Sequence, residues 1–118
     1  MIGKTIGELA AGDHAERTRR VETADLAGFI NAVGDLNPVH SDAAYAATTP
    51  FEEPIAPGIF TAGLISAVIG TRLPGPGAIY LSQSLKFSKP VKAGDTITAK
   101  VVVRDVIRER NRIRLETT

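Results

Sequence analysis

Ile59-Phe60-Thr61-Ala62-Gly63-Leu64-Ile65-Ser66-Ala67-Val68-Ile69-Gly70 is apolar almost all round when wound as a helix, with Thr61 and Ser66 as its polar interruptions. A helix without a polar face is buried on every side. Pro57 and Pro74 bracket this one, and it falls short of the ~20 apolar residues that cross a bilayer. A globular chain can bury such a helix by wrapping a curved sheet around it, so the question becomes where the strands are.

They follow it. Leu73-Pro74-Gly75-Pro76-Gly77 breaks the chain sharply, and Ala78 to Phe87 then reads as largely strand-like, alternating at Leu85, Lys86 and Phe87. Residues 90–95 make a turn. Thr96 to Ile107, rich in valine and threonine, predicts a long strand. Arg108 to Asn111 reverses the chain, and Arg112 to Thr118 alternates, with Ile113 and Leu115 opposite Arg112, Arg114 and Glu116. Helices first and consecutive antiparallel strands afterwards argue an α+β fold.

Upstream of the apolar segment, Thr23 is a good N-cap for a helix whose Leu26, Phe29, Ile30 and Val33 form one apolar stripe. Gly34 ends that helix. Ser41 or Asp42 can cap a short second helix through Ala43, Ala44, Tyr45 and Ala46. Pro50, Pro54, Pro57 and Gly58 make residues 50–58 a loop.

At 118 residues the chain is expected to be one domain, 1–118, with a single core. Charged residues at 23% and hydrophobic ones at 43% are usual for a globular protein, and they set aside disordered and fibrous classes. A net charge of +1 gives no general attraction to nucleic acid or to a membrane surface. There is no cysteine, hence no disulfide, thiolate zinc site or cysteine nucleophile. Met1 to Thr5 has no signal-peptide pattern, which makes the cytoplasm the expected location. Neither a Gly-Xaa-Ser-Xaa-Gly elbow nor a phosphate-binding loop occurs.

Gly34-Asp35-Leu36-Asn37-Pro38-Val39-His40 carries the chemistry. Fully extended, five residues would hold Asp35 and His40 roughly 17 Å apart; a curled loop brings both onto one small molecule. A histidine exchanges protons near neutral pH, so the two suit general acid–base work. Asx side chains bonding the backbone in a plain helix-ending turn is the competing reading. A metal held by Asp35, Asn37 and His40 is a third, although only two histidines exist and no recognised cage has that spacing. Pro57-Gly58 opens the apolar helix at its positive end, where Gly58 offers an unobstructed N–H suited to a developing oxyanion. Close packing alone would also explain that glycine. Ser66, two turns on, needs a hydrogen bond wherever it is buried. His14 reads as surface. Arg104, Arg108, Arg110, Arg112 and Arg114 read as a solvated strand face, or else as a docking surface for the phosphates of an anionic tail. Without interleaved aromatics they do not suggest nucleic-acid binding.

The stretch from Phe29 to Ala46, with Asp35-Leu36-Asn37-Pro38-Val39-His40 inside it, resembles the signature of the MaoC-like, (R)-specific enoyl-CoA hydratases. The likeness runs on through residues 45–51, 54–58, 73–77, 80–87 and 90–95, in order and at matching spacing. It is strongest to the short single-domain hydratases that feed polyhydroxyalkanoate synthesis. The resemblance implies a hot-dog fold, a curved antiparallel sheet wrapped around the helix at residues 58–72, and a homodimer. It implies an acyl-CoA thioester as substrate, hydrated from trans-2-enoyl-CoA to (R)-3-hydroxyacyl-CoA, with no metal or redox cofactor. Asp35 and His40 match the catalytic pair that holds one water, and Gly58 matches the backbone donor to the thioester carbonyl. Ser66 matches the serine supporting the pair, and Asn37 fixes the loop. Pro57 departs from the histidine many relatives carry. Relatives also continue past the position of Thr118 into one more strand, without which the strand at 112–118 has an unpaired edge. A hot-dog thioesterase and a noncatalytic acyl-thioester-binding or dimerisation module are the alternative functions.

Overall fold

The computed structural model describes residues 2–118 and contains three strands and three α-helices. In order these are β1 (His14–Arg20), α1 (Thr23–Val33), α2 (Ala43–Ala46), α3 (Gly58–Thr71), β2 (Thr96–Ile107) and β3 (Arg112–Thr117). The residues group into two compact units. One holds residues 1–18, 63–83 and 98–118; the other holds 19–62 and 84–97.

The first unit contains most of the sheet, in the order β1-β2-β3. β2 and β3 are antiparallel, from Val101 opposite Thr117 to Ile107 opposite Arg112, with an irregularity between Val103 and Asp105. Gly12 N–H donates to Val103 O and the Thr18 and Thr98 hydroxyls pair at 2.8 Å, which sets the direction of β1 against β2. Side chains alternate along β2: Ala99, Val101 and Val103 are buried while Lys100 and Arg104 are exposed. These three pack with Val68, Ile69 and Leu73 from α3 and its end, and with Leu9. Ile113 and Leu115 of β3 close over the same core. Burying a valine or isoleucine side chain contributes about 1.5–3 kcal/mol, so this cluster is the main stabilising feature of the unit.

Several expectations are met closely. The strand predicted over Thr96 to Ile107 is β2, and the reversal after it ends on Asn111 in the left-handed conformation, φ 54°. Gly34 caps α1 with φ 73°, a conformation that suits glycine. Asp42 caps α2 by accepting from Tyr45 N–H at 3.0 Å.

Others are corrected. Thr23 is the first residue of α1 rather than its cap; Glu22 is the cap, in a reciprocal box with Asp25. The stripe on α1 narrows, with Leu26 and Ile30 buried and Val33 60% exposed at the last turn. Helix α3 is not buried all round within one chain. Phe60, Val68 and Ile69 are covered, but Ile59, Gly63, Ser66 and Gly70 lie on an exposed face. Residues 78–87 form no strand. Their alternation supplies the side chains of a strand, yet a strand is decided by pairing with a distant backbone, which the residues' own pattern does not record. Ile79, Leu81, Leu85 and Phe87 remain substantially exposed.

Candidate active site

The second unit carries the Asp35–His40 loop. Its apolar residues Val21, Leu26, Ile30, Ala46, Ala56 and Phe60 are buried, and Phe29 of α1 meets Phe60 of α3 edge to face at 5.8 Å. That contact fixes the end of α1 relative to the start of α3, and so the loop relative to Gly58.

The loop is built by its own short side chains. Asp35 Oδ1 accepts from Asn37 N–H at 3.2 Å, an Asx turn. Asn37 Oδ1 accepts from Val39 N–H at 3.2 Å and caps the single 3-10 turn Pro38–His40. Pro38 suits the first position of that turn because its missing N–H is not needed there. The turn reading of the motif is met, and it leaves one Asp35 oxygen for His40. Asp35 shapes the turn with one oxygen and turns the other, Oδ2, toward His40 Nε2 at 3.5 Å.

His40 is fixed from its other side. Its Nδ1 lies 2.8 Å from Ile55 O, and Ile55 N–H returns a bond to Val39 O at 3.1 Å. A carbonyl can only accept, so Nδ1 carries a proton, and Nε2 is the ring atom turned toward Asp35. The His40 side chain is 12% exposed and that of Asp35 is 35% exposed. Sequence reasoning missed Ile55, because a main-chain carbonyl leaves no mark in residue identity.

His40 also lines a cleft of about 250 Å³ with Phe51, Gly58, Thr61, Phe87 and Lys89. Lys92 braces the Phe51 side: its Nζ donates to Phe51 O at 3.2 Å and to Glu53 Oε2 at 2.9 Å. At the other side stands the first turn of α3, whose leading N–H groups have no intrahelical partner. Gly58 N–H has no backbone partner among the described residues. The cleft thus brings an imidazole and a free amide donor to one space. A nucleophile could be activated at one wall and a carbonyl oxygen received at the other.

Ser66 is exposed and belongs to the first unit, so the requirement expected of a buried serine does not arise. Asn37 Oδ1 is engaged in the turn, and no group of three or more His, Cys, Asp or Glu side chains gathers among the described residues. The C-terminal arginines behave as a solvated face. Arg104 pairs with Glu116 at 3.0 Å and Arg114 with Asp105 at 2.5 Å, across β2 and β3.

The fold and the site define a class. The MaoC like domain family matches residues 8–118. A 3-hydroxybutyryl-CoA dehydratase of Methylorubrum extorquens is 52% identical over 100 residues, covering 85% of this chain and 64% of that protein. An (R)-specific enoyl-CoA hydratase of Rhodospirillum rubrum is 45% identical over 111 residues, covering 94% of this chain and 77% of that protein. Among solved structures, the R-hydratase PhaJ1 of Pseudomonas aeruginosa superposes with a TM-score of 0.90 at 48% identity, covering 98% of this chain and 74% of that one. The chain belongs to the MaoC-like family and has its hot-dog fold, α+β with an antiparallel sheet and a central helix. It spans just under two thirds of the length of the Methylorubrum relative.

Proposed function

We propose that this chain adds water reversibly to a trans-2-enoyl-CoA, giving the (R)-3-hydroxyacyl-CoA, as a hydro-lyase. The observation that carries the reading is the pairing of His40 Nε2 with Asp35 Oδ2, 3.5 Å apart, His40 itself lining a cleft that Gly58 also lines. A water placed against both would donate one hydrogen to each and keep a lone pair for attack. As its oxygen bonds to C3 of the enoyl chain, the C2–C3 π electrons move toward the thioester carbonyl. One member of the pair takes a proton from the water. Gly58 N–H, at the positive end of α3, would stabilise the enolate oxygen. C2 then receives a proton from the pair, which returns to its starting state, and the net change is one water added. Neither a metal nor a redox cofactor is required by this sequence of steps.

Asn37 supports the pair through the turn it caps. A supporting role for Ser66 rests on the family resemblance. The (R) configuration rests on the names of the Rhodospirillum and Pseudomonas relatives, and the link to polyhydroxyalkanoate precursors on the solved (R)-hydratase of Aeromonas caviae, described as involved in PHA biosynthesis. A homodimer is the assembly the family resemblance implies, and Ile79 and Leu81, both largely exposed, are apolar side chains that a partner would cover. No helix of the described residues is long and apolar enough to cross a membrane, in keeping with a cytoplasmic location.

One assay tests the reading. Crotonyl-CoA is mixed with the protein while the conjugated enoyl absorbance and free thiol are both followed. Hydration removes the absorbance without releasing thiol. Thiol release would make the protein a thioesterase, and no change in either signal would leave a binding or dimerisation module.

A further inference from the structure

Position 58 is confined by an aromatic ring. A Cβ on Gly58 would lie 2.7 Å from Phe87 Cε1 and 2.8 Å from Cδ1 and Cζ, closer than carbon atoms approach without one of them moving. The ring therefore occupies the volume that a side chain at 58 would need. Phe87 is nonetheless 58% exposed, so the contact with Gly58 is one-sided, and both residues line the cleft that His40 enters.

The amide chemistry does not call for glycine at this position. Every residue except proline supplies the same N–H, and alanine would keep the donor. Backbone conformation does not call for it either, because Gly58 is absent from the residues with positive φ. Glycine is also a poorer helix former than alanine. What remains is the ring.

We propose that Phe87 is a positioning residue of this site: its ring, seated on the Cα of Gly58, forms the wall that guides a thioester carbonyl onto the Gly58 N–H, and that contact is why position 58 is glycine. The inference rests on the hydratase reading for the identity of the carbonyl. With alanine at 58 the ring is pushed outward toward solvent, and the carbonyl loses its guide although the donor is intact. Small displacements of this kind are costly to a reaction that depends on alignment.

The test compares hydration of crotonyl-CoA by the native protein, Gly58→Ala, Phe87→Ala, Phe87→Tyr and the Gly58→Ala/Phe87→Ala double variant, with melting temperatures for each. Gly58→Ala is expected to lower kcat/KM by about 100-fold, the scale of an ångström of misplacement. Phe87→Ala should cost about 10-fold, in kcat rather than KM, and Phe87→Tyr, which keeps the ring, should stay near native. Because the two residues touch, the double variant should recover at least about 10-fold over Gly58→Ala alone instead of losing the product of the two. Multiplicative losses in folded variants, or a fully active Gly58→Ala, would overturn the proposal. Should Gly58→Ala fail to fold, the single Phe87 variants decide: an unchanged kcat in folded Phe87→Ala overturns it. A native protein that does not hydrate crotonyl-CoA sinks the hydratase reading instead. The steric coupling is then still read from melting temperature, with Gly58→Ala lowering it and Phe87→Ala suppressing that loss.

Discussion

His40 Nε2 faces Asp35 Oδ2 at 3.5 Å because the opposite edge of the imidazole is anchored on the carbonyl of Ile55 at 2.8 Å. The anchor prevents the ring from turning away, so the pair stays together and His40 stays in the cleft wall. Removing either group should be equally damaging. Asp35→Asn and His40→Ala are each expected to lower the hydration rate by at least about 100-fold, the ordinary scale for losing an acid–base group. Stopped-flow or steady-state absorbance with crotonyl-CoA measures it, and a near-normal rate in either folded variant removes that residue from the mechanism.

Asn37 acts one step back. Its Oδ1 caps the turn that presents His40, and its own N–H is the donor that orients Asp35. Asn37→Ala keeps the N–H and loses the cap, so it should reduce kcat by about 10-fold or more while costing roughly 1 kcal/mol of stability, as cap removal does. Asn37→Asp, which retains an accepting oxygen, should recover much of the stability. Equal stability of Asn37→Ala and the native protein in urea titration would show that the cap is idle.

The sheet core gives a stability prediction independent of the chemistry. Val101 is fully buried between β2's neighbours and α3. Val101→Ala removes two methylene equivalents and leaves a cavity, an expected loss of about 2–3 kcal/mol. Val102→Ala, on the opposite face of the same strand, should cost less. A larger loss at 102 than at 101 would invert the assignment of the sheet's inner face.

Acid should weaken the fold through three carboxylates. The Arg19 guanidinium, 2.5 Å from Asp25, holds that carboxyl below its ordinary 3.8, helped by the Glu22 N–H. Arg104 lowers Glu116 from 4.5, and the Thr5 backbone N–H, followed by the Thr5 hydroxyl, lowers Glu8 from the same value. A carboxyl whose pKa is lower folded than unfolded stabilises the protein above the unfolded value and loses that contribution as pH falls through the folded one. Stability at fixed ionic strength should therefore decline as pH falls below about 4.5. Asp25→Asn should be the less stable protein at neutral pH and converge on the native one in acid. Parallel pH curves for the two would mean that Asp25 does not share in the decline. These groups lie at the surface, so added salt should shrink the difference.

Local rules written in the sequence predicted a good deal of this structure. The valine- and threonine-rich run Thr96 to Ile107 became β2 over the same residues, Gly34 took the left-handed cap, and Asp42 capped α2. Each depends on interactions within a few residues, which composition and spacing record. The Asp35–His40 motif was legible for the same reason, since its turn is made by Asx side chains bonding neighbouring amides.

What tertiary structure alone decided is whatever needs a distant partner. Alternation at 78–87 did not make a strand, because strand formation is decided by pairing with a distant backbone rather than by local pattern. The apolar round of α3 did not predict which face one chain leaves open, because covering a face depends on what arrives there. Ile55 O could not be foreseen as the anchor of His40, since every residue carries a carbonyl and only the path of the chain aims this one. Glycine at 58 was consistent with either an open amide or close packing. The Phe87 ring, 29 residues away in sequence and seated on that Cα, is what distinguishes them.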